Sequence, residues 1–261
     1  MPPTENALDA LKRRVLESAV IVERIDEHGE PVVPTGLKWA SSRLGQALVE
    51  RGMTPPWAMS REQCQRFWAS RVDGSNAPLT YAKKPTGVVD FLNTFWSPEV
   101  GPDNSVLEIG CNAGTNLNRL MQLDFRRLSG LEINEHAVAE LERTYPQLAT
   151  VSTIHTETIE GGLASMEPDS VDVIFSMAVL IHLHPTSIDV FDHLVRVSRR
   201  YLCVVELETA SNSYVFPRDY GRVFSQRGCT ELRSARVTRR AYPEVSREYD
   251  GYVARLFRVP E

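Results

Sequence analysis

A chain of 261 residues is long enough to bury a substantial core as one large domain, or as one domain with an elaborated end. Hydrophobic residues at 42% and charged residues at 24% fit a globular protein, and no apolar run approaches the roughly 20 residues a membrane helix needs. The net charge of −5 argues against nucleic acid as an obligatory partner.

The opening "MPPTENALDALKRR" lacks the apolar segment of a signal peptide, and Cys64, Cys111, Cys203 and Cys229 are scattered without a C-x-x-C pair. They read as reduced thiols, neither a disulfide frame nor a metal site, so the expectation is a soluble cytoplasmic protein. Residues 1 to about 85 read as a helical extension. "ALDALKRRVLESAVIVERI" carries apolar residues at helical spacing, and "LKWASSRLGQALVERG" stops at Gly52. Ser60 and Gln63 are spaced for a capping box ahead of "REQCQRFWASR", and "DGSNAPLTYAKKPTG" reads as a loop.

From about residue 86 strands and helices alternate. Strands are predicted at 105–109, 128–133, 149–155, 171–177 and 201–207, with helices at 115–123, 134–144, 158–165 and 186–199. This pattern predicts a Rossmann-like α/β sheet, parallel and covered on both faces. After a helix near 214–226, "TELRSARV" and "YVARLFRVP" are strand-like with no clear helix between them, which predicts a late antiparallel addition. The core is thus expected over 86–261.

"VLEIGCNAGTNLNRL", at 106–120, ends the first core strand in an acid and then breaks into glycines and asparagines. Ligands of open parallel sheets bind beyond the carboxyl ends of the strands, where small residues admit them to the backbone and a helix N-terminus offers free N–H groups. A nicotinamide site would want G-x-G-x-x-G and no preceding acid. Here Glu108 precedes Gly110 by two residues, and Gly110 and Gly114 lie four apart, which suits a positively charged ligand better than a pyrophosphate.

"LEIGCNAG" closely resembles E-x-G-x-G-x-G, the first motif of class I S-adenosylmethionine-dependent methyltransferases, with Asn112 in place of the middle glycine. Asparagine tolerates left-handed backbone, so the turn can survive. The resemblance implies a seven-stranded methyltransferase sheet. It also implies that Gly110, Cys111, Asn112, Gly114 and Asn116 pack near the methionine part of the cofactor, with Glu108 near its amino group. Glu132, eighteen residues after Gly114 in "LSGLEIN", would accept the ribose hydroxyls, with Ile133 beside it. "STIHTETIE" offers Thr156 and Glu157 to the adenine. "VDVIFSMAVLIHLHP" matches the fourth motif, with Ser176 and Met177 at the cofactor and His182 after it. "GCNAGTNLNRL", "GLEINEHAV" and "VLIHLHP" together look like the methyltransferases associated with pseudaminic acid biosynthesis, although His184 stands where that type has asparagine.

Methyl transfer needs an aligned nucleophile, and a hydroxyl acceptor gains from a general base. His182 and His184 are candidates for that role or structural residues of a tight turn; Glu206, near the end of the fifth strand, either holds the acceptor or caps a buried polar network. Among the arginines of 218–240, Arg218 and Arg222 lie nearest the crevice and suit an anionic acceptor. Tyr81, with Lys83 and Lys84, lies where many relatives carry a lid. The expected function is methyl transfer to O or N of a small polar metabolite. An inactive cofactor-binding scaffold and a protein or nucleic-acid acceptor are the rival readings. Acceptor identity and oligomeric state, a homodimer included, stay open.

Overall fold

The computed structural model of the chain describes residues 24–25, 31–32, 37–74, 76–209 and 213–261. Seven strands make one sheet: β1 (Ser105–Ile109), β2 (Arg127–Glu132), β3 (Thr153–Thr156), β4 (Val171–Met177), β5 (Ser198–Glu206), β6 (Thr230–Arg236) and β7 (Val253–Arg258). Their spatial order is β3-β2-β1-β4-β5-β7-β6. Strands β1 to β5 pair in parallel, whereas β7 runs antiparallel to β5 and to β6 on its two sides. The order reverses between β1 and β4, and there the ends of the strands open a crevice.

Among the described residues the α-helices are α1 (Leu37–Val49), α2 (Arg61–Ala69), α3 (Pro78–Tyr81), α4 (Gly87–Phe95), α5 (Thr115–Gln122), α6 (Glu135–Thr144), α7 (Pro146–Val151), α8 (Ile159–Ser165), α9 (Val190–Val197) and α10 (Tyr220–Ser225). A parallel strand buried on both faces needs apolar side chains on both, and β1 supplies them alternately. Val106 faces a core built with Val89 and Leu92 of α4, Leu117 and Leu120 of α5, and Leu141 of α6. Leu107 and Ile109 face the opposite core, with Leu163 of α8, Phe191 and Leu194 of α9, and Phe224 of α10. A third, smaller cluster joins Val49 of α1 and Cys64 of α2 to Phe216, beyond β5. The N-terminal helices therefore dock on the segment that follows the fifth strand.

Local signals explain most boundaries. Ser60 and Gln63 form the capping box of α2, Ser60 Oγ accepting from Gln63 N at 3.3 Å and Gln63 Oε1 accepting from Ser60 N at 2.8 Å. Pro146 at the first position of α7 claims 146–151 as helix, so β3 begins at Thr153 and not at 149. The helix expected over 186–199 is shortened to α9, because His184 and Pro185 still belong to the turn and β5 starts at Ser198. Likewise only Tyr220–Ser225 of 214–226 is helical, opened by Asp219 as N-cap. The helix expected over 7–25 lies outside the described residues, apart from Arg24–Ile25, which pairs as a short strand with Pro31–Val32.

Candidate active site

Beyond β1 the backbone turns through three left-handed residues: Gly110 at φ 67°, Asn112 at 47° and Gly114 at 73°. A Cβ on Gly110 would stand 2.7 Å from Val179 Cγ2, and one on Gly114 would stand 2.5 Å from Leu141 Cδ1. Glycine is thus demanded twice, by φ and by space. Asn112 pays the strain of a side chain in this conformation. Its backbone N–H donates to Glu132 Oε2 at 2.8 Å, and Asn134 N donates to the other oxygen, Oε1, at 2.8 Å. The carboxylate of Glu132 therefore ties the loop after β1 to the loop after β2. Burial raises its pKa, against the amides of Asn134 and Asn112.

A cavity of about 330 Å³ lies over these loops. Gly110, Asn112, Leu131, Glu132, Ile133 and Asn134 form one wall, and Glu157 to Glu160 close one end. Met177, Ala178, Val179, His182, Leu183 and His184 come from the β4 side. The opposite wall comes from the N-terminal region, through Arg61, Gln65, Trp68, Arg71, Asn76, Tyr81 and Lys84. Glu248, Tyr249 and Tyr252 complete it from the far end of the chain. Lys84 Nζ bonds Glu248 Oε2 at 2.8 Å, so the two contributions meet across the rim. Trp68 Nε1 and Arg71 Nε are buried donors with no hydrogen-bond partner among the described residues.

Glu108 lies behind this wall, 1% exposed. Asn116 Nδ2 donates to its Oε1 at 2.6 Å and stands 3.3 Å from the Tyr81 hydroxyl. The second oxygen, Oε2, is buried without a partner among the described residues. Burial drives the pKa of Glu108 well above the ordinary carboxylate value, and no cation among the described residues offsets it.

The turn after β4 is held from beneath. Ala178 adopts φ 58°, and Glu206 Oε1 accepts from Ser176 Oγ at 2.7 Å, Val179 N at 3.1 Å and Leu180 N at 3.0 Å. Glu206 Oε2 accepts from Ile181 N at 3.2 Å. Glu206 is fully buried and off the cavity wall, and its hydrogen bonds fix the turn. Ser176 is spent on the same network. Arg218 is also buried, clamping the carbonyls of Phe216 and Leu183 at 2.9 and 2.8 Å, and Arg222 is exposed on α10. Neither arginine lines the cavity, and the anion-binding expectation for them is corrected accordingly.

His182 does line it. Its Nδ1 lies 3.0 Å from the Tyr214 carbonyl, which requires Nδ1 to carry the proton and leaves Nε2 with a lone pair. The ring packs on Trp68 with centroids 4.4 Å apart, and burial lowers its pKa to about 4. In His184, Nδ1 accepts from Thr186 N at 3.2 Å, a turn-building contact, and burial also lowers its pKa.

The structure thus brings together Gly110, Asn112, Glu132, Ile133, Glu157, Met177, Tyr81, His182 and His184 around one cavity. Asn116 and Glu108 stand directly behind it. Cys111 points into the core, occupying space that Gly130 leaves (a Cβ there would lie 2.6 Å from Cys111 Sγ), and Gly114 and Thr156 also lie off the wall. Glu248, Tyr249, Tyr252, Arg71 and Gln65 were not legible as site residues. No local signal marks them, since they arrive from other parts of the chain.

Residues 106–200 match the family model described as a methyltransferase domain. No curated protein sequence matches the chain. Among solved structures, the fold is similar to a methyltransferase in complex with a Haloferax volcanii methyltransferase activator, with 14% identity, a TM-score of 0.56, and 78% of this chain and 100% of that one covered. It is similar to magnesium protoporphyrin IX methyltransferase from Synechocystis PCC 6803 with bound S-adenosylhomocysteine, at 15% identity and TM-score 0.56, covering 77% and 100%. An S-adenosylmethionine-dependent methyltransferase from Mesorhizobium loti, at 13% identity and TM-score 0.52, covers 65% and 97%. Residues 106–200 thus carry a methyltransferase domain within a seven-stranded Rossmann-like sheet, the arrangement of S-adenosylmethionine-dependent methyltransferases, whose cofactor is S-adenosylmethionine. The residues present fit that molecule. Gly110 leaves backbone room, Glu132 presents a carboxylate at the wall, and the unpartnered, buried Glu108 Oε2 suits a nearby positive charge.

Proposed function

We propose that the chain methylates an oxygen or nitrogen of a small polar metabolite enclosed between the strand ends and the N-terminal region. The supporting observation is the cavity itself. Its motif-bearing wall is joined by Trp68, Tyr81, Tyr249 and Tyr252, and a cavity of about 330 Å³ suits a small acceptor better than a large one. Residues 1–85 act as extension and lid, and 86–261 as the catalytic core. The likeness to the pseudaminic acid-associated type favours a sugar or secondary metabolite. Among the described residues no helix is long and apolar enough to cross a membrane, in keeping with action in the cytoplasm.

In this reading Glu132 accepts the ribose hydroxyls, and the Gly110–Asn112 loop and Met177 border the methionine portion. Asn116 orients Glu108 toward the amino group, and Ile133 and Glu157 border the adenine, with Thr156 behind them. When bound, the cofactor supplies an electrophilic methyl group on a sulfonium. The chain's own task is then to align a nucleophile and exclude water. His182 Nε2 accepts a hydrogen bond from the acceptor's O–H or N–H. With a pKa of about 4 it is a weak base at neutral pH, so it orients the acceptor and does not strip its proton beforehand. His184 shapes the turn beside it.

The test is calorimetry with S-adenosylhomocysteine, followed by mass-spectrometric screening of sugars and small hydroxylated or amino metabolites with S-adenosylmethionine. Binding with turnover on a small acceptor is expected. No binding would remove the reading, and binding without turnover on any acceptor would favour an inactive scaffold.

A further inference from the structure

Asn112 occupies a left-handed backbone position that glycine would adopt without steric cost. What glycine cannot do is donate a hydrogen bond from a side chain, and Asn112 Nδ2 reaches the Asn76 carbonyl at 3.0 Å. The same construction repeats along the neighbouring segment. Asn134 Nδ2 donates to the Arg71 carbonyl at 2.7 Å, Thr115 Oγ1 to the Tyr81 carbonyl at 3.0 Å, and Tyr145 Oη to the Ala82 carbonyl at 2.8 Å. Asn134 divides its amide between two duties, because its Oδ1 caps α6 by accepting from His136 N at 3.0 Å.

Four side chains of the sheet-end loops and their helices therefore grip four backbone carbonyls of one segment, residues 71–74 and 76–82. No backbone–backbone hydrogen bond joins that segment to the sheet-end loops among the described residues. Arg71, Asn76 and Tyr81 of the segment line the cavity opposite Asn112, Glu132 and Asn134. We infer that Asn112, Thr115, Asn134 and Tyr145 are positioning residues that latch this segment as a strap across the cofactor cavity and so set the cofactor's residence time. The inference rests on the cofactor reading given above. Since every acceptor is a main-chain carbonyl, the latch does not depend on the strap's own side chains. Each neutral hydrogen bond contributes modestly, so the strap opens when a few bonds break together and recloses without rearranging the sheet. The asparagine in the first loop thereby gains a reason: it exchanges backbone ease for a grip on the strap.

The test uses the full chain carrying Asn112→Gly, which suits the local φ, or Asn134→Ser, which keeps a helix cap but is too short to reach Arg71. Amide hydrogen exchange is followed without ligand, and S-adenosylhomocysteine dissociation by stopped-flow. Each variant is expected to speed dissociation roughly tenfold, the effect of losing one hydrogen bond. Exchange should quicken in 76–82, with β1 and β4 unchanged. Unchanged strap exchange overturns the latch whether or not dissociation changes; faster dissociation alone would mean that the asparagines act on the cofactor directly. Faster strap exchange with unchanged dissociation would overturn the residence-time role. If S-adenosylhomocysteine binds neither wild type nor variant, the cofactor reading fails, and the exchange data still decide whether the strap is latched.

Discussion

Burial holds the His182 imidazole at a pKa of about 4, against 6.5 for the free side chain. Between those values the unfolded chain takes up a proton at this residue and the folded chain does not, so stability is lost as pH falls from 6.5 to 4. At roughly 1.4 kcal/mol per pH unit, the total is about 3 kcal/mol. Glu206, raised to about 7 by burial, works the other way: its folded form holds a proton that the unfolded chain releases above 4.5, so it favours folding on acidification. Glu108, also raised, acts in the same direction. A His182→Asn variant, able to keep a donor toward Tyr214, isolates the histidine contribution. Its melting temperature should fall less steeply than wild type between pH 6.5 and 4, and equal slopes would contradict a buried neutral histidine. Glu132 offers a second test. Removing it in Glu132→Ala should weaken S-adenosylhomocysteine binding by roughly 1.5–3 kcal/mol, the range for hydrogen bonds to a charged group. Calorimetry showing wild-type affinity in a folded variant would mean that another acid holds the ribose.

Helix α2 shows how a local signal reaches the site. Its capping box fixes where the helix starts, and seven residues into α2 Trp68 lands on the His182 ring. Ser60→Ala should cost about 1 kcal/mol, as loss of an N-cap does, and should quicken amide exchange in 61–69 before the sheet responds. Signals of this kind made much of the fold legible. Apolar runs marked β1, β2, β4 and β5, and the acid-and-glycine loop marked the crevice, because each is set by neighbours within a few residues. Long-range partners were not legible. Arg218 reads as a free guanidinium until the carbonyls of Phe216 and Leu183 surround it, and Glu206 reads equally as an acceptor ligand or a cap until four donors meet it. The strap escaped notice for a further reason: its contacts use main-chain carbonyls, which every residue possesses and which no sequence pattern announces.

At the scale of the molecule, the N-terminal region and the sheet share one cavity and one small apolar cluster, Val49 and Cys64 with Phe216. A chain beginning at Pro85 would lose Trp68, Arg71, Tyr81 and that cluster together. Such a chain is expected to retain weak S-adenosylhomocysteine binding through the strand-end loops and to lose methyl transfer. Full activity without the first 84 residues would reopen large, surface-bound acceptors. The sheet order carries a different consequence. The seventh strand sits inside the sixth, gripped by β5 through the register Tyr201 to Arg258 and by β6 on its other flank. During synthesis β6 therefore leaves the ribosome with no strand to join, and the β5 edge stays bare until β7 has been translated. Translation can assemble the cofactor-binding half from β1 to β5 as it proceeds, but closure of the sheet must wait for β7. A ribosome stalled before Val253 would present an exposed β edge, the kind of surface that chaperones engage and that aggregates grow from.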